Sequence, residues 1–133
     1  MDIVAEILES SRKIAIVGLS ANTERPSYRV ASYLKDNGYT IIPVNPGEKE
    51  ILGEKCYPDL SSIPEKVDVV DIFRRSEEVS LIVLGAIKIG ASAVWMQEGV
   101  INEEAANQAR EAGLKVVMDK CMLKEHQKLQ SHR

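Results

Sequence analysis

The strongest constraint on the fold is a run of five residues, Lys13-Ile14-Ala15-Ile16-Val17, closed by Gly18. Successive side chains of a strand point to opposite faces of the sheet. Consecutive apolar residues therefore need cover on both sides, which is the usual state of a parallel-sheet strand. Parallel neighbours cannot be joined by tight hairpins and need crossovers, usually helical. The rest of the chain has to supply those helices.

It does so in alternation. In residues 2–11, Ile3, Val4, Ile7 and Leu8 form the stripe of a short amphipathic helix. A helix is predicted over 27–37 with Val30, Ala31 and Leu34 inward, Pro26 in its first turn and Gly38 as its stop. Residues 40–44 form a second strand, where Pro43 must lie near the end or at an irregularity because it cannot donate to a ladder. A short strand is expected over 54–57, followed by a loop bracketed by Pro58 and Pro64. Residues 67–73 form another strand. Ser76-Glu77-Glu78 opens a helix with Val79, Ile82, Val83 and Ala86 on one face. A strand over 92–96 leads to a helix capped by Asn102, with Ala105, Ala109 and Ala112 inward and Gly113 at its end. A last strand over 115–118 precedes a helical tail over 122–130 with Met122, Leu123, His126 and Leu129 on its stripe. This order implies βαβ units with right-handed crossovers. Segments 45–53 and 99–102 are the expected mobile loops.

The 133 residues suit one domain spanning 1–133, with no room for the second domain a full dehydrogenase or ligase adds. No apolar run approaches the ~20 residues that cross a bilayer. The N-terminus lacks a basic leader region, and two thiols fit a reducing cytoplasm. The net charge of -3 argues against nucleic acid as a partner.

Ligands of open parallel sheets bind at the carboxyl ends of the strands, where strand order reverses. After the first strand come Gly18, Leu19, Ser20 and Ala21, then Arg25, Pro26 and Ser27 at a helix start. A dinucleotide fingerprint would need glycines where this chain has Ser20 and Thr23. Small residues still permit close approach to a pyrophosphate, Ser20 adds a hydroxyl, and the helix start offers N–H groups to a phosphate. The second strand ends in Asn45 and Pro46, not in the acid that clamps the ribose of NAD. A P-loop pattern is absent. Arg74 and Arg75 follow Phe73 at the same sheet edge as Arg25, and guanidinium forks suit phosphate oxygens. Trp95 and Phe73 are read as core residues, with Phe73 placed so that it can also flank a ligand's adenine or pantetheine arm. Cys56 and Cys121 have no zinc-ligand spacing with either histidine. Cys121, beside Asp119 and Lys120, is read as a buried, inert thiol, with a mixed disulfide as the alternative. His126 packs or caps, and the acidic pairs Glu77-Glu78 and Glu103-Glu104 complement helix dipoles. No nucleophile–base–orienter set is legible.

The set Val17-Gly18-Leu19-Ser20, Arg25-Pro26-Ser27, Pro43-Val44-Asn45-Pro46, Phe73-Arg74-Arg75, Val94-Trp95-Met96-Gln97-Glu98-Gly99 and Met118-Asp119-Lys120-Cys121-Met122 resembles the small single-domain CoA-binding proteins. These are similar to the CoA-binding domain of the succinyl-CoA synthetase alpha subunit. The resemblance implies an α/β, Rossmann-like three-layer fold with a mostly parallel sheet flanked by helices. It implies CoA or acyl-CoA as ligand, with contacts from the turn at Gly18 to Ala21, from Asn45 and Pro46, and from Met96 and Gln97. The synthetase's CoA-contacting lysine falls at Glu48, with Lys49 next. Arg25 and the Phe73-Arg74-Arg75 run match the small proteins rather than the synthetase. Asn45 suits CoA, because a carboxylate there would repel its 3′-phosphate.

The leading expectation is a non-catalytic, cytoplasmic CoA-binding module. Two alternatives stand beside it: a subunit of a nucleotide- or acyl-CoA-dependent enzyme, and a thiol-redox protein using Cys121 with CoA. The protein partners considered are a second copy, as a homodimer, and a partner enzyme chain.

Overall fold

The computed structural model describes residues 2–132. Helix α1 (Ile3–Ser10) starts at Asp2, whose side chain accepts the Ala5 N–H. Strand β1 (Lys13–Val17) follows, then α2 (Pro26–Asp36) and β2 (Thr40–Val44). Two short strands, β3 (Glu50–Ile51) and β4 (Glu54–Lys55), precede a 3₁₀ turn at Leu60–Ser62. Strand β5 (Val69–Ile72) leads through a second 3₁₀ turn, Ser76–Glu78, into α3 (Val79–Lys88). The chain closes with β6 (Ala93–Met96), α4 (Glu103–Glu111), β7 (Lys115–Val117) and α5 (Met122–Ser131). No helix among the described residues is long and apolar enough to cross a membrane.

The five-stranded sheet runs β2-β1-β5-β6-β7, and every neighbouring pair is parallel. With helices on both faces this is an α/β Rossmann-like fold, as the double burial of residues 13–17 requires. From β1 the chain goes to β2 on one side, then crosses back to β5 on the other. The topological switch point therefore lies between the carboxyl ends of β1 and β5. One face carries α3 and α4, where Val79, Val83, Ala105 and Ala109 pack on Val70, Ile72 and Val94. The opposite face carries α1, α2 and α5, where Leu8, Val30, Leu34 and Met122 pack on Ile14, Ile16 and Trp95. Pro43 is accommodated because β2 is the edge strand of the five-stranded sheet, where the Pro43 carbonyl still accepts the Tyr57 N–H of an isolated bridge.

Three local expectations are corrected. Segment 45–53 is held by the β3–β4 hairpin, whose turn residues Leu52 and Gly53 both have positive φ, the two-residue hairpin geometry. Ile51 anchors it by burial in the core. Segment 99–102 is pinned as well: the Gly99 N–H donates to Asp119 Oδ1, and the Ile101 N–H to Ser76 Oγ. Ala112 is exposed as the cap of α4, and Ala106 takes the inward position instead.

Among the buried residues, Asp71 is fully enclosed in the middle of β5. It pairs in register with Ile16 and Trp95, and alternation points it to the face of α1, α2 and α5. Neither carboxylate oxygen has a hydrogen-bond partner among the described residues. Burial raises its pKa well above the ordinary carboxylate range, against a smaller opposing contribution from the Ile72 backbone. Burial thus favours the protonated form of the Asp71 carboxyl.

Candidate functional site

Gly18 ends β1 and makes the first turn of the site. Its φ is +86°, and its N–H donates to the Val44 carbonyl at 3.0 Å. An added Cβ would stand 2.4 Å from the Phe73 carbonyl oxygen and 2.8 Å from Arg74 Cδ. Only glycine lets β1 and β5 release their chains this close together.

The loop beyond Gly18 is knitted by its own small residues. The Ser20 N–H donates to Ser27 Oγ at 3.0 Å, and the Asn22 N–H to Ser20 Oγ at 3.0 Å. The Glu24 N–H donates to Asn22 Oδ1 at 2.9 Å. Ser20 accepts in this network, which leaves its hydroxyl proton available to a ligand. Arg25 is the N-cap of α2 and supplies no side-chain acceptor to the first-turn amides. Pro26 occupies the first turn, as expected from its missing donor. The positive end of α2 therefore opens toward the sheet edge. Arg25 is exposed and has no ion-pair partner among the described residues.

From the other side of the switch point come Phe73, Arg74 and Arg75. The Phe73 N–H donates to the Val17 carbonyl at 2.9 Å, fixing where the segment leaves the sheet. Arg74 bonds Glu78 Oε1 at 2.7 Å, and Arg75 Nε lies 3.5 Å from Glu78 Oε2. The hydrogen bond from Arg74 is the largest cause holding the Glu78 carboxyl below its ordinary pKa. Sequence reasoning gave Glu78 only a helix-dipole role. Its spacing of four from Arg74 was the available signal.

These groups line one cleft of about 810 Å³, within the roughly 300–1,000 Å³ of small-molecule sites. Gly18, Ser20, Arg25, Pro26, Ser27, Phe73, Arg74, Arg75 and Gln97 all line it. So do Glu78, which the sequence did not suggest, and Cys121, which the sequence joined to CoA only in the thiol-redox alternative. Cys121 is half-buried at the cleft rather than sealed in the core, because it starts α5 instead of ending β7. A second cleft of about 390 Å³ shares Gly18 and Arg74 with the first and is lined by Asn45 and Pro46.

The remaining candidates fall elsewhere. Leu19 and Met96 are fully buried core residues, so neither side chain reaches either cleft. Ala21 is exposed beside the first loop, and Lys49 is exposed and lines neither cleft. Asn45 uses its side chain as a latch: Nδ2 donates to the Leu19 carbonyl at 2.9 Å, and Oδ1 accepts the Gly47 N–H at 2.8 Å. That latch ties the ends of β1 and β2 together. Trp95 is a buried core residue, as expected, and its Nε1 also donates to the Lys120 carbonyl at 2.8 Å. Phe73 is half-buried, packed on the core and lining the cleft. His126 is buried with its Nδ1 2.7 Å from the Tyr33 hydroxyl.

The chemistry of this wall is specific. It offers cations and helix-start amides at one sheet edge and a buried amide at another strand end. It has no acidic residue after β2 to clamp a ribose.

The chain matches the family model described as a CoA binding domain over residues 12–127. It is 41% identical over 123 residues to the uncharacterized protein YneT of Bacillus subtilis, covering 92% of this chain and 91% of that protein. A hypothetical protein from Pyrococcus horikoshii has the same fold, with TM-score 0.93, 45% identity, and coverage of 96% of this chain and 89% of that one. The ADP-forming acetate–CoA ligase I of Archaeoglobus fulgidus is 29% identical over 121 residues, spanning 82% of this chain but only 17% of the ligase.

Proposed function

The chain belongs to the CoA-binding-domain family, and from that premise we propose that it binds CoA or an acyl-CoA in the 810 Å³ cleft as a single, non-catalytic domain. The observation that carries this reading is the convergence of Arg25, Arg74 and Arg75 with the start of α2 on the switch point. CoA brings a pyrophosphate and a 3′-phosphate, and both suit guanidinium forks and helix-start amides. Gly18, Ser20 and Ser27 let the backbone approach those oxygens. Asn45 and Pro46 border the adjoining cleft without adding negative charge.

Glu78 gives the site an internal counter-ion. In the free protein it neutralises Arg74 and Arg75, which keeps the two cations from repelling each other. A bound phosphate competes for the same guanidinium protons. Binding then trades a carboxylate partner for a phosphate one.

The test is calorimetric titration of CoA, dephospho-CoA and NAD. CoA is expected to bind, and NAD to bind far more weakly. Tight NAD binding without CoA binding would overturn the reading. Arg74→Ala and Arg25→Ala are each expected to lower CoA affinity about 10-fold, equivalent to about 1.4 kcal/mol, with a smaller loss for dephospho-CoA. Equal losses would mean that these arginines do not read the 3′-phosphate. Glu78→Gln is expected to tighten CoA binding by a few-fold, because it frees both guanidinium groups. A loss of affinity in that variant would show that Glu78 positions the arginines rather than competing for them.

A second reading rests on the acetate–CoA ligase similarity, which covers a small part of that enzyme. Here the domain serves a partner enzyme chain. Affinity purification of the chain from its own source is the check. A stoichiometric ligase-like partner would favour this second reading over the stand-alone module.

A further inference from the structure

We propose that Cys121 is a thiol–disulfide exchange site for the CoA sulfur, so that the cleft captures oxidised CoA as a mixed disulfide. This deepens, and rests on, the reading that the cleft binds CoA.

Two independent observations support it. Cys121 is the N-cap of α5, with extended backbone at φ -89° and ψ 120°, and its side chain makes no capping hydrogen bond. Its free thiol lines the same cleft as Arg25 and Arg74. The second observation is Gln97. It is only 4% exposed, yet it lines that cleft. Its Oε1 accepts the Met122 N–H at 3.2 Å, which fixes the amide beside the start of α5. Its Nε2 has no hydrogen-bond partner among the described residues. With Oε1 engaged, Nε2 is the donor end of the amide, and a carbonyl bound in the cleft that Gln97 lines can accept from it. The pantetheine arm of CoA carries amide carbonyls on the way to its sulfur. One of them meeting Gln97 Nε2 brings the sulfur toward the residue next to Met122, which is Cys121.

The other thiol provides the contrast. Cys56 is buried in the core and lines neither cleft. Burial raises its pKa first, and the charges of Glu48 and Glu50 add to that.

The exchange balances without an added oxidant beyond CoA disulfide. The Cys121 thiolate attacks one sulfur of CoA disulfide. A bond forms between Cys121 Sγ and that sulfur, the original S–S bond breaks, and the other CoA leaves as a thiolate that takes a proton from water. Cys121 is oxidised, and one CoA half is reduced. A small thiol reverses the step by the same route.

The full-length chain incubated with CoA disulfide is read by intact mass and peptide mapping. The expected product is one adduct per chain, which raises its mass by that of CoA less two hydrogens, located on Cys121 and removed by dithiothreitol. It should form about 10-fold or more faster than the adduct with glutathione disulfide, because the bound ligand reacts as if intramolecular. Excess desulfo-CoA should slow it. Cys121→Ser should form no adduct, and Cys56→Ser should form it as the parent does. No adduct, an adduct mapped to Cys56, or equal rates with glutathione disulfide would overturn the inference. Titration of reduced CoA into Cys121→Ser separates the two levels. Binding there, with no adduct on the parent, sinks the exchange alone, whereas no CoA binding to either protein sinks the underlying reading.

Discussion

Gly18→Ala should lower the stability of the fold by about 2–5 kcal/mol and abolish measurable CoA binding. The stability figure has two sources. A side chain held at φ +86° carries about 1–2 kcal/mol of left-handed strain. The added Cβ, 2.4 Å from the Phe73 carbonyl oxygen, forces a backbone shift of the kind that costs about 1–3 kcal/mol in a packed interior. The loss of binding follows from geometry. The segment that must move is the one that aims Arg74 into the cleft, and Arg74 Cδ is itself 2.8 Å from the new atom. Gly38→Ala is the matched control. Its φ is +94°, but nothing lies within 4 Å of an added Cβ, so only the strain applies. Urea denaturation of both variants checks the ledger. Equal losses at the two positions would show that the close approach of β1 to β5 carries no energy.

Asp71→Val should raise stability at neutral pH by about 1–3 kcal/mol, the cost of an unsatisfied buried polar group. Valine suits a central strand whose neighbours in register are Ile16 and Trp95. The pH dependence gives a second readout. The folded-state pKa of Asp71 is raised by burial above its unfolded value of about 3.9. Below that unfolded value both states hold the proton, and the group does not couple folding to pH. As pH rises above it, the unfolded chain releases the proton and the folded chain keeps it. Stability from this group therefore falls with rising pH, by at most about 1.4 kcal/mol per unit, up to the folded-state pKa. The parent should lose stability over that window relative to Asp71→Val, so the gap between them should widen as pH rises from about 4 toward the folded-state pKa. A constant gap would mean that Asp71 titrates alike in both states.

The architecture was largely legible because burial on two faces leaves a mark that one residue type cannot hide. Residues 13–17, 40–44 and 92–96 read as strands from their apolar runs alone, and the structure has β1, β2 and β6 there. The β3–β4 hairpin was legible only in part: the short strand expected over 54–57 overlaps β4, whereas β3 has no periodicity to detect in two residues. Its turn also uses Leu52 at φ 56°, where the usual signal is Asn or Asp. Ala112 was misplaced because a helix end has no sequence marker as sharp as its start.

At the cleft, the strand-end rule brought Gly18, Arg25, Arg74 and Arg75 together from two separate stretches of sequence. It also selected Leu19 and Met96, because adjacency in sequence cannot separate a residue facing the ligand from its neighbour facing the core. Glu78 was overlooked as a counter-ion because it ends a 3₁₀ turn whose path decides whether the arginines fold back on it. Asp71 carried no warning at all. An aspartate between Val70 and Ile72 reads the same whether its strand is central or at an edge.

The sequence by itself determined the alternation of strands and helices, the parallel sheet, and the sheet edge where a ligand would bind. Those properties follow from hydrophobic period and from the positions of Gly and Pro, which are local. Only the tertiary structure decided that β5 lies beside β1, that Glu78 closes on Arg74 and Arg75, that Gln97 and Cys121 share the cleft, and that Asp71 is sealed without a partner. Those properties depend on which distant segments meet, and strand order is set by packing energies summed over the whole sheet rather than by any single stretch of residues.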